Sequence, residues 1–189
     1  MSLKSEYLPR LVKALSEMDT EGLLESINKI SKKLDERNTV FITGNGGSAA
    51  TASHFATDLG KTKLKSGKLG SALSLCDNSS IITAVANDES FEKVFRNQLE
   101  MLAKPGDLLI SISASGKSPN LIEAVDYANA NGIETLSFVG FDGGRLMEIS
   151  SLSLHVPTKI GDYGVAEDAH SVICHYIAEQ VRKTPLVDE

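Results

Sequence analysis

The feature that most constrains this chain is a pair of short apolar runs, each ending in a tight small-residue turn that leads into a helix-forming segment. Val40-Phe41-Ile42 runs into Gly44-Asn45-Gly46-Gly47-Ser48, and Leu108-Leu109-Ile110-Ser111-Ile112 runs into Ser113-Ala114-Ser115-Gly116-Lys117-Ser118-Pro119. Apolar runs of this length, bounded by turn residues, read as strands buried on both faces, the habit of parallel sheets. A strand that passes through a small-residue turn into a helix is one half of a βαβ unit.

The rest of the chain keeps that rhythm. Strands are expected at 72–75, 135–139 and 152–156, with helices over 49–59, 79–86, 91–102, 120–130 and 166–182. Asn131-Gly132 closes the helix that begins near Asn120, as a left-handed C-terminal turn requires. Ahead of the first strand, Leu8, Leu11, Val12, Leu15 and Met18 recur at helical spacing. Thr20 is expected to cap a second helix striped with Leu23, Leu24, Ile27, Ile30 and Leu34. The expected architecture is α/β, a three-layer αβα sandwich with a central parallel sheet. It forms a single domain over 1–189, and residues 1–37 make a helical extension packed on that domain or at a subunit interface.

Composition narrows the function classes. The 189 residues carry a formal net charge of −6, with 41% hydrophobic and 23% charged residues, the balance of a soluble globular chain. No apolar stretch approaches the roughly 18–20 residues of a membrane helix, and the N-terminus lacks a signal-peptide core, so a cytoplasmic protein with no membrane role is expected. The densest basic segment, Lys61 to Lys68, reads as a solvated loop, and no nucleic-acid footprint is expected. The two cysteines, Cys76 and Cys174, lack CxxC spacing, which excludes a disulfide framework and a thiolate zinc site. Both are expected to be small buried hydrophobes.

In open α/β sheets, ligands bind beyond the C-terminal ends of the strands, where both loops belong. Glycines let the backbone approach an anion closely, and the helices that follow offer free N–H groups and the positive end of a dipole. The second loop adds three hydroxyls, and Pro119 suits the first helical turn. Together they make a phosphate cradle that needs no arginine. Each loop taken alone also reads as an ordinary tight turn. Gly44-x-Gly46-x-x-Ala49 fits a dinucleotide fingerprint, but Asp77 follows about thirty residues later rather than about twenty, and the serine loop has no role in that reading. No GxxxxGK[ST] occurs, so a P-loop is excluded, and no nucleotide cofactor is expected.

His54 and Asp58 stand i, i+4 on one helix face, a spacing that serves acid–base chemistry, a metal site or an ordinary ion pair. Glu167 and His175 are eight residues apart, about 12 Å along a straight helix. They reach one metal only if Glu167 precedes the helix and folds back, or if two subunits contribute. His170 reads as structural, His155 as a strand-end residue without a role, and Tyr163 as facing the ligand.

These residues resemble the sugar isomerase (SIS) domain family, and within it the bacterial heptose isomerases. The resemblance spans essentially the whole chain. It rests on Gly44-Asn45-Gly46-Gly47-Ser48, His54-Phe55-Ala56-Thr57-Asp58-Leu59, Asn87-Asp88, Ser113-x-Ser115-Gly-x-Ser118 and Glu167 with His175. It implies aldose–ketose isomerisation of a seven-carbon sugar phosphate, sedoheptulose 7-phosphate, through an enediol, by a homotetramer with active sites at subunit interfaces. By position, Ser113, Ser115 and Ser118 would hold phosphate with Ser48 nearby, and Asn45 and Asp88 would contact the sugar. Gly46, Gly47, Ala114 and Glu167 would complete the substrate site. Asp58 and His175 would be catalytic, and zinc would be held by His54, Asp58, Glu167 and His175. Three positions depart from the family: aspartate at Asp58 for glutamate, Glu167 for glutamine, and the loop Gly161-Asp162-Tyr163-Gly164-Val165. They leave open an isomerase for another sugar phosphate, or a non-catalytic phosphosugar-binding or replication-regulatory member.

Overall fold

The computed structural model of the chain describes residues 2–66 and 70–183. Five strands form one parallel sheet in the order β2-β1-β3-β4-β5: β1 (Thr39–Gly44), β2 (Ser71–Ser74), β3 (Leu108–Ser113), β4 (Glu134–Val139) and β5 (Leu152–His155). The strand order reverses between β1 and β3. That switch point opens a crevice at the C-terminal edge of the sheet, and both small-residue loops border it.

Alternation along the strands supplies both faces. Val40, Ile42, Leu108, Ile110, Ile112, Leu136 and Phe138 join one buried cluster, while Phe41, Leu109 and Val139 join the other. The first cluster is covered by α2 (Thr20–Asp35), α3 (Gly47–Ser66) and α8 (Tyr163–Lys183), with α1 (Leu8–Ser16) lying on α8. The second is covered by α5 (Arg96–Leu102), α6 (Pro119–Ala130) and α7 (Gly144–Ile149), with α4 (Ser79–Asp88) beyond a short 3₁₀ turn, Phe91–Lys93. The expected sandwich with a parallel sheet and N-terminal helices is therefore the observed fold. The N-terminal helices pack on the sheet and on α8, and Lys29 and Lys33 of α2 both bind Glu134 at the start of β4. Those two ammonium groups hold the Glu134 carboxyl down at about 2. Among the described residues no helix is long and apolar enough to cross a membrane.

Several local expectations are corrected. Asp19, not Thr20, caps α2, and its carboxylate accepts the Gly22 N–H at 3.0 Å. Residues 61–66 continue α3 rather than forming a loop, because no proline follows Leu59 and the helix tolerates the single Gly60; the end of that basic segment, 67–68, lies outside the described residues. The helix expected over 91–102 divides into the 3₁₀ turn and α5, with Val94 and Phe95 buried at the junction. The six-residue α7 was not anticipated; it offers too few residues for a periodic signal. Cys174 is buried as expected, whereas Cys76 is only partly so.

Candidate active site

Three helices begin at the crevice, and each brings a small or polar residue to it. Asn45 and Ser48 come from the β1 turn and the start of α3, Ser113, Ala114, Ser115 and Ser118 from the β3 loop, and Tyr163 and Glu167 from the first turns of α8. They line a cavity of about 100 Å³. Converging helix N-termini turn their dipoles toward it, and its lining carries no basic side chain and one carboxylate, Glu167.

The loop conformations follow from their residues. Gly116 has φ +62°, and a Cβ there would lie 2.0 Å from the Gly143 carbonyl oxygen, so only glycine fits. The Ser113 hydroxyl accepts the Gly116 N–H at 3.0 Å, and the Ser115 hydroxyl accepts the Lys117 N–H at 3.3 Å. Ser118 occupies the cap position of α6, yet its hydroxyl makes no capping hydrogen bond. The Leu121 and Ile122 N–H groups donate to the Ser118 carbonyl, each at 3.1 Å, which leaves that hydroxyl and the Asn120 N–H at the start of α6 to face an anion.

Glu167 leans over the other loop. A Cβ on Gly47 would lie 2.3 Å from a Glu167 carboxylate oxygen, so Gly47 is where the carboxylate rests against the start of α3. Tyr163 stacks edge-on against Phe141, with ring centres 5.0 Å apart. Phe141 has φ +44°, a strained value for a bulky residue, and two hydrogen bonds hold it there. Its N–H donates to the Thr158 hydroxyl, and its carbonyl accepts from His155 Nε2, both at 3.0 Å. His155 therefore has a role after all: it braces the residue on which Tyr163 stacks. From outside, the Tyr7 hydroxyl donates to Asp168 at 2.6 Å and Arg10 binds Asp162 at 2.7 Å, tying α1 to either side of Tyr163. Burial and the Asp168 carboxylate push the Tyr7 phenol up to about 12.

A second constellation lies farther along the parallel pair α3 and α8. His54 Nε2 is 3.4 Å from Asp58 Oδ2, His175 Nε2 is 3.9 Å from the same oxygen, and the two imidazoles meet edge-on with centres 4.8 Å apart. Ligand atoms of these three side chains all lie within 4.8 Å of one another. Metal bonds of about 2 Å at tetrahedral angles place neighbouring ligand atoms about 3.3 Å apart; these atoms lie at that spacing or somewhat wider, so the two imidazoles and the carboxylate could close on a metal ion as three ligands with a position left open. Glu167 does not join them. It sits within helical α8, about 12 Å before His175, so it does not fold back, and one chain unites three of the four expected ligands. Asp88 ends α4, exposed, accepting a hydrogen bond from Asn87 at 2.8 Å; it does not line the loop cavity. His170 is structural in position: it is fully buried, with neither ring nitrogen hydrogen-bonded.

Sequence reading passed over Asn120. This buried residue in the first turn of α6 exchanges two amide hydrogen bonds with Asn45, at 2.9 and 2.8 Å, joining the two loops. An asparagine in a helix beside a Ser/Pro turn gives no signal of a partner 75 residues away.

Comparison with known proteins gives the family. The SIS domain family profile matches residues 5–140. The chain is 37% identical over 185 residues to a phosphoheptose isomerase of Helicobacter pylori, covering 96% of this chain and 94% of that protein. Among solved structures it is similar to the phosphoheptose isomerase of Neisseria gonorrhoeae, with a TM-score of 0.84, 25% identity, and 96% and 97% of the two chains covered. The Francisella tularensis phosphoheptose isomerase shares the fold at a TM-score of 0.87, with 23% identity and coverage of 97% and 100%. The chain belongs to the SIS domain family and, within it, to the phosphoheptose isomerases.

Proposed function

We propose that this protein isomerises sedoheptulose 7-phosphate to D-glycero-D-manno-heptose 7-phosphate by acid–base chemistry through an enediol. The observation that carries the reading is the conjunction of a hydroxyl- and amide-lined cavity at the sheet's switch point with a His–Asp–His cluster on the two helices that leave it. The Ser113, Ser115 and Ser118 hydroxyls and the start of α6 hold the phosphate. Asn45 and Glu167 face the sugar from the same cavity, and Asp88 is the farther sugar contact. Asp58 and His175 supply the base that takes a proton beside the carbonyl and the acid that protonates its oxygen.

The separation of the two constellations supports a homotetramer with shared sites. Asp58 follows Gly47 by eleven residues, about 16 Å along α3, and His175 follows Glu167 by about 12 Å along α8. In this reading the cluster of one subunit serves the cavity of a neighbour. Exposed apolar residues accompany it: Val172 and Tyr176 flank His175, and Leu8 and Val12 stand out from α1. The same assembly supplies the way for Glu167 to complete a metal set with His54, Asp58 and His175. Bound there, zinc would polarise the carbonyl and hydroxyl oxygens of the sugar as a Lewis acid. The residues around it hold the sugar and move its protons.

The test is turnover, followed by NMR, of ketose phosphates with five, six and seven carbons. Preference for the seven-carbon sugar is the expected result. Preference for a shorter sugar would assign the Asp58 and Tyr163 positions to another substrate, and binding without turnover of any of them would make the protein a phosphosugar-binding module.

A further inference from the structure

Asn120 lies behind the cavity rather than in it. Asn45 lines the cavity, whereas Asn120, 2% exposed, does not, and the two side chains exchange hydrogen bonds through both amide groups. A primary amide has two N–H donors and two carbonyl lone pairs. The reciprocal pair consumes one of each on Asn45 and leaves one N–H and one lone pair for the cavity. That remainder is what a hydroxyl, itself donor and acceptor, can satisfy. Without Asn120 the Asn45 amide turns freely about its side-chain bonds, and the β1 turn loses a link to the α6 N-terminus.

We infer that Asn120 is a positioning residue that fixes the Asn45 amide to read a sugar hydroxyl, so that it sets affinity for the sugar part of the ligand and not for the phosphate. The inference rests on the phosphosugar reading above. The phosphate has its own donors, the Ser115 and Ser118 hydroxyls and the backbone N–H of residue 120, none of which is a side-chain amide of the Asn45–Asn120 pair, and the backbone N–H survives a side-chain substitution.

The test compares sedoheptulose 7-phosphate with inorganic phosphate by titration calorimetry on the full chain. The proteins are wild type, Asn120→Ala, Asn120→Leu, Asn45→Ala and the double variant Asn45→Ala/Asn120→Ala. Asn120→Leu fills the vacated space, and melting curves show which variants fold. Asn120→Ala or Asn120→Leu should weaken the sugar phosphate about tenfold and leave phosphate unchanged within about twofold. In the Asn45→Ala background, removing Asn120 should weaken binding no further. Equal losses for phosphate and sugar phosphate, or losses that add in the double variant, would overturn the inference while the phosphosugar reading stands. A wild-type protein that fails to bind sedoheptulose 7-phosphate would overturn both.

Discussion

Glu167 and His175 share α8 but are delivered to different places: the Glu167 carboxylate rests over Gly47 at the small-residue loops, and His175 Nε2 lies 3.9 Å from Asp58 Oδ2. A straight helix fixes that division, since eight residues advance it about 12 Å. Everything proposed about assembly follows from it. Loops and cluster occupy two stations on one chain, and in the proposed assembly a reaction needing both would draw them from two chains.

Subunit mixing tests that division. Ser115→Ala/Ser118→Ala removes the proposed phosphate contacts, and His175→Ala removes a proposed catalytic group; each protein alone should be nearly inactive. Hybrid oligomers formed by co-refolding should regain activity, because some interfaces then join intact loops to an intact cluster. Hybrids that form, as shown by native mass spectrometry, yet stay inactive would place both stations in one subunit's site.

Gly116→Ala should be severely destabilising. The substitution forces alanine to φ +62° and drives its Cβ to 2.0 Å from a backbone carbonyl that has little room to retreat. Strain and overlap together should cost about 3 kcal/mol, or a fall in Tm of roughly 6–12 °C by calorimetry for a chain of this size. Gly46→Ala has a similar φ, +54°, but open space around it, and should cost only about 1 kcal/mol.

Acid sensitivity should trace in part to His170. Burial pulls its pKa from 6.5 down to about 4, so the folded state resists a proton that the unfolded chain accepts. Stability should therefore fall as pH drops from about 6.5 toward 4, and below that His170 contributes no further slope. Urea denaturation of His170→Leu should show a flatter profile across this window. An unchanged slope would mean that another group dominates.

Zinc affinity should depend on the cluster more than on Glu167 where single chains are concerned. Competition with a chromophoric chelator should show His54→Ala and His175→Ala weakening zinc roughly a hundredfold or more. Glu167→Gln should weaken it modestly in the assembled protein and not at all in any dissociated subunit that stays folded. Equal losses for all three variants in a monomer would contradict the three-ligand geometry.

The legible part of this protein was the part written in local pattern. The runs at Val40 and Leu108, their glycine and serine turns, and the i, i+4 pair His54–Asp58 are short-range features, and each led to its place in the fold. What stayed hidden depends on distant contacts. Asn120 matters through Asn45, and His155 through the carbonyl of a strained Phe141. The grip of Tyr7 and Arg10 on the start of α8 spans more than 150 residues of sequence. The cap of α2 was misplaced by one residue because aspartate and threonine both make good caps, and only the Gly22 N–H distinguishes them.

The most direct measurement of the central claim is NMR of sedoheptulose 7-phosphate incubated with the protein in D₂O. An enediol handled by acid–base groups should give the seven-carbon aldose phosphate with deuterium at C2, and His175→Ala should abolish it while still binding the sugar. Wild-type protein that binds sedoheptulose 7-phosphate yet forms no aldose, with or without added zinc, would contradict the account.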